Sequence, residues 1–355
     1  MFKFIRLFGA LLFPAIFAVL YAAYYVDAYF DRELTISGDQ ETFILEPGTG
    51  FSATMNEAAR RGWLQQEGVL KIYGRLFPEQ TGIRAGEYRI SSGTTVRQWL
   101  DMMRDGDVVR HQLTLVEGWN LQQVLSYLSA QELLAEESLA PGEGFWAQLG
   151  IDDPLAEHPE GLFFPDTYDY RRGDSPSLIL RRAYRRLVAV LEEEWQARSP
   201  DLPYANPYEA LIMASIVEKE TGVAAERAEI AGVFVRRLNL GMRLQTDPTV
   251  IYGMGDRYQG NLRSRDLKDG SNEYNTYRID ALPPSPIALA GREAIHAALH
   301  PADGETLFFV ARGDGSHQFS RTLAEHEAAV DRYQKRGRRR DYRSSPPPVS
   351  EDGKE

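Results

Sequence analysis

The sequence predicts an α+β fold carried behind a single apolar N-terminal helix, and three observations predict it. Near its start the chain has an uncharged run, LFGALLFPAIFAVLYAAYYV, from Leu7 to Val26. Three later segments alternate like strands, reach a glycine, and then take on helical periodicity. Beyond residue 175, amphipathic and wholly apolar stretches with capping signals read as helices.

The apolar run comes first. At about 1.5 Å per helical residue it reaches roughly 30 Å, the thickness of a bilayer's hydrocarbon core. Pro14 is tolerable in such a helix, and Tyr21, Tyr24 and Tyr25 suit an interface. Lys3 and Arg6 precede the run, so the positive-inside rule makes residues 1–6 cytoplasmic, 7–27 a single-pass anchor in a bacterial inner (plasma) membrane, and the rest periplasmic or exterior. A cleaved signal peptide has a shorter apolar region ending in small residues, which YAAYYVD fits poorly.

With 355 residues, 43% of them hydrophobic, the chain can bury cores for two or more domains. A formal net charge of −11 argues against nucleic acid as a partner, because phosphate contacts need clustered Lys and Arg on a folded face. The absence of Cys excludes disulfides, thiolate nucleophiles and Cys-ligated metals. The basic cluster KRGRRRDYR and the following SSPPPVSEDGKE read as a disordered, solvated tail over 335–355.

The three strand-turn-helix segments are TFILEPGTGFSATM, EYRISSGTTVRQWL and HQLTLVEGWNLQQVL. Each has its glycine (Gly48, Gly93, Gly118) three positions before an apolar residue (Phe51, Val96, Leu121) that begins the helical pattern. Their spacings of 45 and then 25 residues exclude a solenoid. The stretch EYRISSGTTVRQWLDMM resembles a LysM-type module, a small fold associated with N-acetylglucosamine polymers, so 40–135 is read as a LysM-like region; a purely structural domain is the other reading.

EGLFFPDTYDY mixes aromatics with acids, the composition of a carbohydrate site and equally of a core edge; Glu160 and Tyr168 are its candidates. In SPSLILRRAYRRLVAVLEEEW, Leu178, Ala183, Leu187, Val190 and Leu191 fall near helical spacing, with the RR and EEE charges on a solvated face.

NPYEALIMASIVEKETG carries signals at both helix ends. Asn206 caps, Pro207 suits the first position, Glu209 completes a capping box, and Gly222 ends the helix in the left-handed conformation, giving roughly 207–221. Leu211 to Val217 is uncharged all round, so the helix is buried. Glu218 and Glu220 then fall in the last turn, where burial, the helix dipole and each other raise their pKa values while Lys219 opposes. A carboxylic acid kept protonated near neutral pH suits a general acid for glycosidic cleavage. Helical spacing does not choose between the two, and an exposed structural ion pair remains open.

ASIVEKETG together with GMRLQTDPTVIYGMG, YNTYRIDALPPSPIALAG and LFFVARGDGSHQFSRTLAEH resembles the endolytic murein transglycosylase, or YceG-like, family. The resemblance covers most of the chain and implies a catalytic domain over 136–334. It implies Glu218, the first glutamate of EKE, as catalytic acid, with no cofactor and no metal. The implied reaction cleaves the β-1,4 bond between N-acetylmuramic acid and N-acetylglucosamine within peptidoglycan strands, leaving 1,6-anhydro ends, beside peptidoglycan synthases as partners. Gln245, Asp247, Asn275 and Tyr277 are candidate substrate-binding residues, although Asp247 also suits a helix cap and Asn275 a turn. Ser285 stands where relatives often have Gly. His317 and His326 lie nine residues apart without a metal motif and read as structural. A hydrolytic muramidase, using Asp247 or Glu220 to activate water, and a non-catalytic glycan-binding scaffold are the competing expectations.

Overall fold

The computed structural model describes residues 2–152 and 154–336, with side chains from residue 13. The side chains of Lys3 and Arg6, and the tail beyond residue 336, lie outside the described residues. Two units result: the chain to His111 together with Asp169–Asp174, and Gln112–Tyr168 together with Ser175 onward. The division at residue 111 falls inside the region expected as 40–135, so the third strand-turn-helix segment goes to the second unit apart from its first residue.

In the first unit the apolar run forms α1 (Phe2–Phe30), with Pro14 inside it. Among the described residues it is the one helix long and apolar enough to cross a membrane. Its last residues behave differently from the rest: Tyr29 and Phe30 are buried, whereas Phe13, Phe17 and Tyr24 are exposed. The unit continues through β1 (Gln40–Leu45), α2 (Phe51–Arg60), α3 (Gly68–Leu76), β2 (Gly86–Ser91) and α4 (Val96–Asp105). β1 and β2 pair antiparallel, from Gln40 opposite Ser91 to Leu45 opposite Gly86. Alternation sends Phe43, Leu45, Tyr88 and Ile90 inward. They pack with Trp63, Trp99, Met55 and Met103, the Phe43 and Trp99 rings meeting edge-on at 5.5 Å.

The glycines work as their spacing predicts. Gly48, Gly93 and Gly118 have φ of 82°, 83° and 77°, values that cost a Cβ-bearing residue, and Phe51, Val96 and Leu121 are the first residues of their helices. Thr95 with Gln98, and Asn120 with Gln123, form reciprocal capping boxes.

β3 (His111–Thr114) and β4 (Thr167–Tyr170) form a second two-stranded sheet. The second unit holds α5 (Leu121–Ser129), α6 (Phe145–Gln148), α7 (Pro176–Gln196), α8 (Pro207–Glu220), α9 (Arg227–Asn239), α10 (Asp247–Met254), α11 (Ser264–Leu267) and α12 (Arg292–Leu299). The antiparallel pair β5 (Phe308–Ala311) and β6 (His317–Ser320) and then α13 (Leu323–Val330) follow. α8 packs against α7, α9, α10 and α12. Ala210 through Val217 are all buried, as a helix apolar on every side requires.

Three local expectations need correction. α8 ends at Glu220, and Gly222 is not left-handed: Thr221 turns extended at φ −145° and its Oγ1 accepts the Val223 N–H at 2.9 Å, so the chain leaves the helix without a glycine turn. Asn206 Oδ1 accepts from Glu209 N, but the Glu209 carboxylate reaches back to Ala205 N rather than to the cap itself. In α7, Leu178 is half-buried while Ile179 and Leu180 fill the core, and Glu194 of the expected solvated EEE face is buried against Arg292 and His296.

Candidate active site

Glu218 sits in the last turn of α8 with 7% of its side chain exposed. Its Oε2 accepts the Gly291 N–H at 3.1 Å, and its Oε1 lies 4.0 Å from Arg227 Nη2. Burial pushes the carboxyl above its ordinary value. The Gly291 hydrogen bond opposes that, the neighbouring Glu117 adds to it, and Arg227 and Lys219 draw it back. Arg227 is shared, because its Nη1 pairs with Glu293.

Glu117 is the residue that sequence reasoning missed. It stands in the turn before α5, 101 residues from Glu218 in the chain. Reciprocal backbone bonds fasten that turn to the loop entering α12: Gly118 N donates to Leu289 O at 2.8 Å, and Leu289 N to Trp119 O at 2.7 Å. Lys219 Nζ adds a bond to Gly118 O at 3.0 Å, so the lysine of EKE grips the turn that carries Glu117. A Cβ on Gly291 would lie 1.9 Å from Glu117 Oε1. The bare backbone at 291 therefore lets one glutamate lie against it while its N–H serves another. The only signal in the sequence was the EG turn itself.

Glu220 has different neighbours. Residues two apart on a helix point about 200° from one another, and Glu220 accepts a hydrogen bond from Thr246 Oγ1. Burial pushes its carboxyl up to about 7; the Thr246 bond opposes and Asp247 adds to the rise. Asp247, the first residue of α10 rather than its cap, accepts from Tyr277 Oη at 2.7 Å. Gln245 adopts φ 53°, donates its N–H to Thr276 O at 3.1 Å, and accepts from Arg237 Nη2 at 3.2 Å. Gln245, Asp247 and Tyr277 thus gather on the Glu220 side of the helix end.

The other candidates are tied to the scaffold. Asn275 is fully buried; its Nδ2 donates to Asp269 O at 2.7 Å and its Oδ1 accepts from Tyr277 N at 3.0 Å, closing the loop around α11. Glu160 is 3% exposed and accepts from Leu121 N at 3.0 and 3.1 Å, Gly161 N at 3.1 Å and Tyr252 Oη at 3.0 Å, capping α5. Burial pushes its carboxyl to about 7 against those bonds. Tyr168 is buried and donates to Phe164 O at 2.7 Å. Ser285 is buried, bonded to Tyr274 Oη at 2.7 Å, which accounts for a hydroxyl at that position. His317 pairs with Glu226 at 2.8 Å, and His326 stacks on Phe308.

Chemically, the end of α8 offers a nearly enclosed carboxyl with a raised proton affinity, one oxygen engaged by a backbone N–H and a second acid close by. Such a group can hand over a proton and take one back.

Comparison with known proteins gives consistent matches. The model of the YceG-like family matches residues 43–332. A Bacillus subtilis (strain 168) protein named endolytic murein transglycosylase is 29% identical over 301 residues, covering 81% of this chain and 82% of its own length. A Streptococcus pneumoniae (strain D39) protein of the same name is 24% identical over 338 residues, covering 86% of this chain but 59% of its own length. A crystal structure of a yceG-like protein from Listeria monocytogenes is 27% identical and covers 82% of this chain and 99% of its own, with a TM-score of 0.48.

Proposed function

Because the chain belongs to the YceG-like family, we propose that it is an endolytic peptidoglycan lytic transglycosylase with Glu218 as its acid. The observation that carries this reading is the burial of the Glu218 carboxyl at the end of α8, with its proton affinity raised and, among the described residues, Oε1 held by a long 4.0 Å contact to Arg227.

Glu218 protonates the glycosidic oxygen between N-acetylmuramic acid and N-acetylglucosamine. The C1–O bond breaks, its electron pair leaves with that oxygen, and positive charge develops at C1 of the muramoyl sugar. The resulting Glu218 carboxylate accepts the proton of the same sugar's C6 hydroxyl, whose oxygen closes on C1. No water is consumed, and the end formed is a 1,6-anhydro sugar. Glu117, close enough to lie against Gly291, favours the protonated form of Glu218 before the first step. Gly291 N–H then supports the carboxylate that the first step leaves behind.

The apolar α1 supports single-pass anchoring in the inner membrane, with both units outside the cytoplasm, where the enzyme would cut nascent strands beside the synthases that make them. The β1-to-α4 region, with its LysM-like segment, is the natural glycan-holding partner of the catalytic region, and Gln245, Asp247 and Tyr277 remain candidates for binding sugar hydroxyls on the Glu220 side.

The test is digestion of purified peptidoglycan by wild type and Glu218→Gln, with mass spectrometry of the new ends. Wild type should give ends lacking one water, and the variant should lose at least about 100-fold in rate. Water-bearing reducing ends would establish hydrolysis instead, and undiminished cleavage by the variant would remove Glu218 from the chemistry.

A further inference from the structure

One cluster of metal-ligating side chains has no part in that chemistry. Glu194 on α7, and His296 and His300 at α12 and its C-terminal cap, bring one ligand atom each within 4.8 Å of one another. His296 and His300 are four residues apart, so both rings leave the same face of the chain. Their centroids are 4.3 Å apart and their planes 28° from parallel. Glu194 Oε2 is hydrogen-bonded to His296 Nδ1 at 2.8 Å; an ion displacing that shared proton would need the two atoms to part only to roughly 3.3 Å, the separation of neighbouring ligand atoms of tetrahedral zinc with bonds of about 2.0 Å.

Two details separate this cluster from an ordinary surface ion pair. Among the described residues His300 Nε2 is buried without a hydrogen-bond partner, while its Nδ1 makes a 3.4 Å contact with Ser199 Oγ. Leaving such a nitrogen unpaired is unfavourable, and coordination to a cation would offset that cost. The carboxylate is also oriented from behind: Arg292 Nη1 donates to Glu194 Oε1 at 2.7 Å, which leaves Oε2 toward the imidazoles. A partner that fixes a ligating carboxylate in this way is a regular part of metal sites.

We propose that Glu194, His296 and His300 form a binding site for a divalent transition-metal ion, with zinc the best match to two imidazoles and one carboxylate and water completing the shell. The ion joins α7 to α12. It is structural in effect, because α12 is also the helix whose cap residue Gly291 donates to Glu218. Fixing one end of this short helix to α7 restrains the other end.

The test uses the full-length chain, free of any affinity tag, stripped of metal with a chelator and titrated with zinc sulfate against a chromophoric competitor. One zinc per chain is expected, and His296→Ala and His300→Ala should each weaken binding about tenfold or more. His111→Ala should leave binding unchanged, although His111 also sits 3.1 Å from a glutamate, Glu87. Zinc should raise the melting temperature of wild type and not that of His296→Ala, whose side chain is 58% exposed. Absence of stoichiometric zinc uptake, or uptake unaffected by His296→Ala, would overturn the proposal.

Discussion

Glu220→Gln offers a quantitative test of how α8 ends. In the native state burial raises the Glu220 carboxyl from 4.5 to about 7. Below pH 4.5 the group is protonated in both folded and unfolded chains, and its contribution to stability is present in full. As pH rises, the unfolded chain ionises first, and the native state loses that advantage until the pH has passed about 7. The interval corresponds to about 3 kcal/mol at 25 °C. Glutamine keeps an acceptor for the Thr246 hydroxyl and cannot ionise. The variant should therefore match wild type near pH 4.5 and exceed it by about 3 kcal/mol above pH 7.5. Urea unfolding of both proteins in half-unit steps from pH 4.5 to 8.5 measures the difference, and groups common to both, such as Glu160, cancel. A difference that does not change with pH, or a wild type that is the more stable at pH 8, would refute the reasoning. Strand cleavage should persist in the variant, because Glu218 supplies the proton.

Glu117→Gln removes a negative neighbour of Glu218 and leaves Arg227 and Lys219 in place, so Glu218 should ionise at a lower pH. The alkaline limb of kcat/KM against pH should move to lower pH in muropeptide-release assays, and an unmoved limb would show that Glu117 does not act on the acid. Gly161→Ala places a Cβ 2.4 Å from Pro286 Cβ on a backbone with φ +74°. It should cost about 1–3 kcal/mol in denaturant unfolding, and wild-type stability would mean that the Gly161 turn relaxes freely.

Local sequence was enough for local structure. Three glycines with apolar residues three positions later marked the starts of α2, α4 and α5, because a left-handed turn opening into a helix is decided by neighbouring residues. The burial of α8 was equally legible, since no face of Leu211–Val217 offers anything to water. What spacing could not supply was contact between distant segments. Glu117 reaches Gly291 and Glu218 only because its turn is laced to Leu289. The EEE run looked solvated because Arg292 and His296, which bury Glu194, are about 100 residues away. The same limit explains the candidates Gln245, Asp247 and Tyr277. Their polar motif was visible, but which glutamate they accompany depends on the angular phase of the last turn of α8 and on where residues 245–247 return to it.

Tyr29 and Phe30 belong at once to the long apolar helix and to the interior around Trp99 and Met103. Tyr73 meets the Phe30 ring edge-on at 4.9 Å, and the Arg97 guanidinium lies 5.3 Å from its centre. Cutting the chain before Asp31 would thus do more than set a domain free, because it would take two aromatic plugs out of that interior and leave a hollow in their place. A soluble fragment that keeps its native packing has to carry a stub of the greasy helix reaching back to Val26, which also packs there.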